Sequence, residues 1–316
     1  IYTKTCTKLE YLFVDLSFWT PETWNQLTTL IQRNPKLKSF EIRENNEIMS
    51  IDFMEAMSAC LELRNLQVHM YHLDEACMEH ILDIAVRLEH LQINGLSNML
   101  PKSLDKWPCF PAMKKLTLKV ETHFPIQLQF EMIRKCPELR ALELSTDGHD
   151  QFPASDFCDI LKTYCPFIED LKLHYDSMTD MDLSQILESC RKVTTLHMGS
   201  AFGEQAFHSL SRHFIDIQYL QCHGLTGAMT QQIMTSCPNL IEFSGANLDA
   251  RDVIGTEKDE TTGEGMMVTQ DWICTRMQHL AIFINKVEGK SHELHPGVIR
   301  QIAKLRVKTI TISQQA

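Results

Sequence analysis

One short phrase recurs along the 316 residues: a small or apolar residue, then apolar residues three, six and eight positions later. Cys136-Pro-Glu-Leu139-Arg-Ala-Leu142-Glu-Leu144 states it most clearly, and Cys165-Pro-Phe-Ile168-Glu-Asp-Leu171-Lys-Leu173 repeats it. Further copies start at Cys6, Asn34, Cys60, Ala85, Phe110, Cys190, Phe214, Cys237, Cys274 and Lys304, so twelve are present. Successive starts lie between 23 and 37 residues apart, with a mean of about 27, which is room for one strand and one helix per unit. Units of that kind stack into a solenoid, each burying its apolar side against its neighbours. The expected product is an extended binding surface with no single enclosed active site.

Within each copy the apolar residues at offsets six and eight alternate with polar ones, as in Leu142-Glu-Leu144, which is the period of a strand with one buried face. Between copies the period lengthens towards 3.6. Phe53, Met54 and Met57 form one helical stripe and Phe157, Ile160 and Leu161 another, with Asp52 and Ser155 expected as the capping residues. The phrase residue falls where the helix ends. Proline follows it at Pro35, Pro137, Pro166 and Pro238, where it stops the helix and turns the chain into the next strand. A strand–helix unit repeated in one direction gives parallel strands. Because helices are bulkier than strands, the stack should curve into an α/β horseshoe, strands on the concave side and helices on the convex side.

The phrase Cys-Pro-x-Leu-x-x-Leu-x-Leu, with a helix of this length, resembles the cysteine-containing subclass of leucine-rich repeats (RNI-like). That subclass forms the substrate-recognition arms of F-box proteins. The segment from Asp271 to Met277 is similar to fungal members of the group, and the resemblance extends from Cys6 to Ile312. It implies a protein-binding arm without enzymatic activity in a ubiquitin-ligase subunit of the SCF type. The ligase adaptor would be recruited by an F-box, which would lie before Ile1, since no such motif is present within the chain.

Composition is consistent with one elongated domain over 1–316: 44% of the residues are hydrophobic, enough for a continuous core. No apolar run approaches a membrane span, so no membrane partner is expected. A net charge of −11 argues against nucleic acid, which needs a basic footprint. Seven of the eleven cysteines (Cys6, Cys60, Cys136, Cys165, Cys190, Cys237 and Cys274) occupy the equivalent phrase position, as a packed file beneath the turns. No Cys-x-x-Cys and no glycosylation sequon accompany them. Free thiols in a reducing compartment, cytosol or nucleus, are the expectation. Both ends look like cuts in a longer chain. One spacing grows to 37 residues, and the extra residues fall at 249–270, an acidic, glycine-bearing stretch expected as a mobile insertion loop.

No catalytic signature is present: no Walker loop, His-Glu-x-x-His, nucleophile elbow or kinase set. Gly263-Glu-Gly265 is a fragment of a phosphate loop in the wrong context, and Asp147-Gly-His-Asp150 has too few oxygen ligands for calcium. Met113, Met198 and Met277 occupy buried phrase positions as core filler. No cofactor is expected.

The binding surface should be the concave sheet face, made by offsets five, seven and nine of each phrase. It carries a charge of about −1 and six of the fourteen histidines: His69, His90, His174, His197, His223 and His279. The expected protein-contact residues are Arg43, His69, Lys115, Lys119, Lys172, His174, His197, Tyr219, Gln221, His223 and Phe283. Lys172, His174, His197, Tyr219, Gln221 and His223 lie on three neighbouring strands and form the leading patch, with Tyr219 as its aromatic anchor. Three nearby histidines suggest zinc, but alternating offsets and the lack of a fourth ligand argue against a metal. The alternatives to a substrate arm are a general leucine-rich-repeat scaffold without a ubiquitin link, or a small-GTPase regulator. The latter calls for a rim arginine and an acidic tail, and Gln315-Ala316 ends the chain without one.

Overall fold

The structure is a computed structural model. It describes residues 6–16, 21–44, 50–69, 75–96, 107–120, 126–146, 152–190, 192–245, 256–258, 265–267, 271–284, 301–305 and 307–314. The chain forms two compact units, Ile1–Asp150 with Asp159–Ile168, and Gln151–Cys158 with Glu169–Ala316.

In the first unit six parallel strands lie in chain order: β1 (Tyr11–Leu16), β2 (Ser39–Glu44), β3 (Asn65–His69), β4 (His90–Leu96), β5 (Lys115–Val120) and β6 (Ala141–Thr146). Helices α1 (Pro21–Gln32), α2 (Ile51–Ser58), α3 (Glu75–Ala85) and α4 (Ile126–Arg134) follow β1, β2, β3 and β5. Helix α5 (Ala154–Tyr164) follows, and the division between units passes through it. The second unit repeats the arrangement with β7 (Asp170–His174), α6 (Asp180–Ser189), β8 (Thr195–Ala201), α7 (Glu204–Leu210), β9 (Tyr219–His223), α8 (Gly227–Ser236) and β10 (Glu242–Gly245). A short antiparallel hairpin, β11 (Thr256–Lys258) and β12 (Gly265–Met267), comes next, before β13 (His279–Ile284) and β14 (Thr309–Gln314). Strands β7 to β10, β13 and β14 pair in parallel, again in order. Each unit is a leucine-rich-repeat solenoid.

The facing expected from the phrase holds. Leu139, Leu142, Leu144, Ile168, Leu171 and Leu173 are buried, while Glu143 and Lys172 between them are half-buried on the other face. The helical stripes Phe53–Met54–Met57 and Phe157–Ile160–Leu161 are buried too. Tilted ring contacts of Phe53 with Trp24 (5.0 Å between centroids) and Phe40 (5.5 Å) lie in the first unit's core. Phe152 meets Tyr175 edge-on (4.7 Å) in the core of the second.

At the phrase residue the chain makes one tight turn in repeat after repeat: the amide three residues on donates to its carbonyl, as Leu63 to Cys60, Leu139 to Cys136 and Met277 to Cys274. Its side chain joins adjacent repeats. Cys165 Sγ donates towards Cys136 O (3.6 Å) and Ile133 O (3.5 Å), Cys60 Sγ towards Asn34 O (3.8 Å), and Cys274 Sγ towards Met234 O (3.2 Å). The cysteines are therefore weak donors as well as packing, and all eleven are free thiols. Asn34 makes the same link more strongly: Nδ2 donates to Cys6 O (3.0 Å) and Leu30 O (2.7 Å), and Oδ1 accepts from Leu9 N (2.8 Å).

Several expectations are corrected. Ser50, not Asp52, is the N-cap of α2, and α5 begins at Ala154, so Ser155 lies inside it. Lys304 is exposed and paired with Asp271, and Leu305 beside it takes the buried place. Ile310 is 42% exposed, and Leu12 and Val14 are only half-buried, because β14 and β1 each have a paired strand on one side alone. Thr117, expected at the surface, is 1% exposed. It is ringed by Gln92 and Glu143 across the strands and Lys115 and Lys119 along its own. Of the insertion at 249–270 the hairpin is described. Its other residues, and Asp147–Asp150, lie outside the described residues. Among the described residues no helix is long and apolar enough to cross a membrane.

Candidate functional site

On the first unit's sheet face, away from the helices, side chains of consecutive strands form a polar network. Arg43 pairs with Glu41 two residues back (2.8 Å) and lies over the Phe13 ring of β1 at 5.2 Å. His69, one strand further, sits 3.9 Å from the same Glu41 oxygen. Its Nδ1 is 2.7 Å from the Asn94 amide nitrogen and its Nε2 3.5 Å from that of Gln92. A neutral ring that accepts from Asn94 at Nδ1 carries its proton on Nε2, so the Gln92 amide donates to Asn94 Oδ1 (3.4 Å) and not to the ring. Burial and the Arg43 charge hold His69 below the ordinary histidine range, with Lys119 acting in the same direction and Glu41 against it. Lys119 pairs with Glu143 at 2.7 Å. Lys115 is exposed beside His90, whose pKa burial and Lys115 lower together.

In the second unit the register aligns Lys172, His197 and Gln221 in one row across β7, β8 and β9, about 5 Å apart from strand to strand. The His174 and His197 rings meet edge to face, centroids 4.4 Å apart at 80°. A Cβ on Gly199 would lie 3.3 Å from His174 Cα, a tight contact that glycine avoids. Tyr219 is 40% exposed at the start of β9, between Thr195 and Glu242.

His223 departs from the expected row. β8 bulges after His197, so His223 pairs with Ala201 instead of Gly199, and its carbonyl accepts the Phe202 amide at 2.9 Å. Four of the six expected residues thus converge (Lys172, His174, His197 and Gln221), Tyr219 flanks them on the same strand face, and His223 is displaced. Arg43, His69, Lys115 and Lys119 belong to the first unit's face. The Phe283 side chain lies outside the described residues, although its backbone pairs with Ser313. Among the described residues no three metal-ligating side chains are placed to hold an ion.

Glu41, Gln92 and Asn94 were not singled out by sequence, yet they organise the His69 network. The signal was there: they share offsets seven and nine with the residues that were. Asp180 was also missed, because its role is to close the helix of the next repeat.

No family model matches the chain. It is 23% identical over 239 residues to the BTB/POZ domain-containing protein FBL11 of Arabidopsis thaliana, covering 69% of this chain. The chain spans about a quarter of that relative's length. Among solved structures it is similar to the leucine-rich repeat-containing protein LegL7 from Legionella pneumophila (TM-score 0.47, 11% identity, 96% of this chain and 91% of that one). It is also similar to a chain of the Rad7 and Elc1 complex in yeast (TM-score 0.46, 14% identity, 78% and 71%).

Proposed function

We propose that this chain is a protein-interaction module that holds a polypeptide on the exposed sheet face of its second unit. Within a longer protein it would be the substrate-recognition arm of an F-box-type ubiquitin-ligase subunit working in cytosol or nucleus. The row of Lys172, His197 and Gln221, with His174 stacked on it and exposed Tyr219 beside it, carries the binding reading. It offers a cation, ring and amide donors, and one amphipathic ring that becomes buried on contact. The row lies on paired strands ahead of the β8 bulge, so the donors keep their spacing without the partner having to order them. The ligase reading rests on the resemblance of the repeated cysteine phrase to such arms, and the adaptor would be engaged by a region other than the repeats.

The test is affinity capture from cells of the source organism with wild type and a Lys172→Glu/Tyr219→Ala double variant, followed by measurement of the captured proteins' lifetimes when the gene is deleted. Partners lost in the variant and longer-lived in the deletion are the expected result. Partners retained by the variant would remove the site assignment, and unchanged lifetimes would remove the ligase reading. In kinetics on a captured partner, Lys172→Glu should slow association and Tyr219→Ala should speed dissociation.

A further inference from the structure

The first unit has an edge where helices end and strands begin, formed by the five residues after each phrase position from Cys6 to Cys136. These thirty positions hold eight lysines and arginines against four glutamates, in a chain whose net charge is −11. Positive charge is therefore concentrated along one edge of an acidic protein. The parallel register keeps the row in line: Ser39, Asn65, His90, Lys115 and Ala141 are successive partners, and the residue before each donates its amide to the preceding repeat.

Some of these cations have structural work. Arg87 donates to Met57 O and Ser58 O (3.4 and 2.9 Å), closing the C-terminus of α2, and Arg64 donates to Leu61 O and Leu63 O. Others do not. Lys36 and Lys115 are exposed and hold no ion pair among the described residues. Lys38 and Lys114 make only solvent-exposed pairs with Glu10 and Glu89 (2.9 and 2.6 Å), the kind that contributes little and exchanges readily for another carboxylate. Beside the charges runs an exposed apolar line, one residue in each repeat from the second to the sixth: Pro35, Leu61, Val86, Pro111 and Pro137, with Leu61 71% exposed.

We propose that this edge binds an extended polypeptide segment in which acidic and apolar residues alternate, laid across the strands. Six strands at about 4.8 Å span roughly 24 Å, the reach of seven or eight extended residues. Its carboxylates would meet Lys36 and Lys38 at the second repeat and Lys114 and Lys115 at the fifth, three strands or about 14 Å away, and the side chains between them would cover Leu61 and Val86. The interspersed glutamates and the apolar line disfavour a nucleic-acid backbone, which presents uninterrupted negative charge and no apolar side chain. The site is separate from the second unit's sheet face.

The probe is a fluorescein-labelled twelve-residue peptide alternating Glu or Asp with Leu, Val or Pro, measured by anisotropy against the whole chain. A peptide with Lys at the acidic positions and a twelve-nucleotide oligothymidylate are the comparisons. The acidic peptide should bind and weaken as salt rises from about 50 to 300 mM. Lys36→Glu/Lys114→Glu/Lys115→Glu should weaken it at least about tenfold, Leu61→Ser should weaken it too, and Tyr219→Ala should leave it unchanged. Lys36→Gln/Lys115→Gln, which removes two cations without ion pairs, provides a second variant, and circular dichroism confirms the fold of each. Absence of binding to wild type, equal binding by folded charge variants, loss of binding in Tyr219→Ala, or tighter binding of the oligonucleotide than of the peptide would each overturn the proposal.

Discussion

Asp180, at the start of α6, caps the helix of the following repeat at Gly203. Its Oδ1 accepts the amides of Gly203 (2.8 Å) and Ala206 (3.0 Å), and its Oδ2 accepts that of Gln205 (3.0 Å). One carboxylate thereby satisfies three otherwise orphaned donors of α7. A Cβ on Gly203 would lie 2.5 Å from the Asp180 carboxylate carbon, so any larger residue would push the carboxylate aside, by contact and not by backbone strain. Asp180→Ala should destabilise the protein by about 1–2 kcal/mol. Gly203→Ala should do so by displacing the same carboxylate, and the two losses should not add. Urea denaturation of the single and double variants measures this.

Asn34→Ala should cost about 2–4 kcal/mol, because it leaves the Leu9 amide and two carbonyls without the side chain that joins them. Asn34→Cys should recover part of that loss. A thiol can donate as Cys60 and Cys165 do, but it gives Leu9 N only a poor acceptor. Equal stability of the two variants would mean that packing alone accounts for this position.

Stability should fall on acidification. Burial, with Arg43 for His69 and Lys115 for His90, lowers both histidine pKa values in the native state. The unfolded rings titrate near pH 6.5, so below that the unfolded state binds more protons than the native one. The contribution is fully present above about pH 6.5 and is lost as the pH drops through the lower native values. Urea midpoints at about pH 7.5, 6.5 and 5.5 should decline for wild type and decline less for His69→Gln/His90→Gln.

Thiol chemistry should separate Cys109 from the buried file. Cys109 is exposed and Cys6 half-buried, while the other nine are buried. Burial pushes Cys165, Cys190 and Cys274 up to about 12 and raises Cys60, Cys136, Cys222 and Cys237 as well. A thiol-reactive dye at about pH 8 should label Cys109 first and Cys6 more slowly, and should reach the rest only after denaturation. Cys109→Ser should abolish the fast phase.

The sequence by itself determined the strand–turn–helix unit, its parallel stacking, and the inward facing of residues such as Leu142 and Leu171. Each follows from local alternation, from the turn at Cys136 or Cys165, and from identical neighbours on either side, so no distant information is needed. Tertiary structure decided the rest. Thr117 is buried because the strands about 25 residues away bring Gln92 and Glu143 beside it. His223 leaves its row because β8 bulges, and His69 becomes the centre of a network because Glu41 reaches it from β2 on one side and Gln92 and Asn94 from β4 on the other. In these places the outcome depends on side-chain reach between repeats and on register shifts. A periodic pattern gives which face a residue occupies but not what its neighbours across the sheet do there.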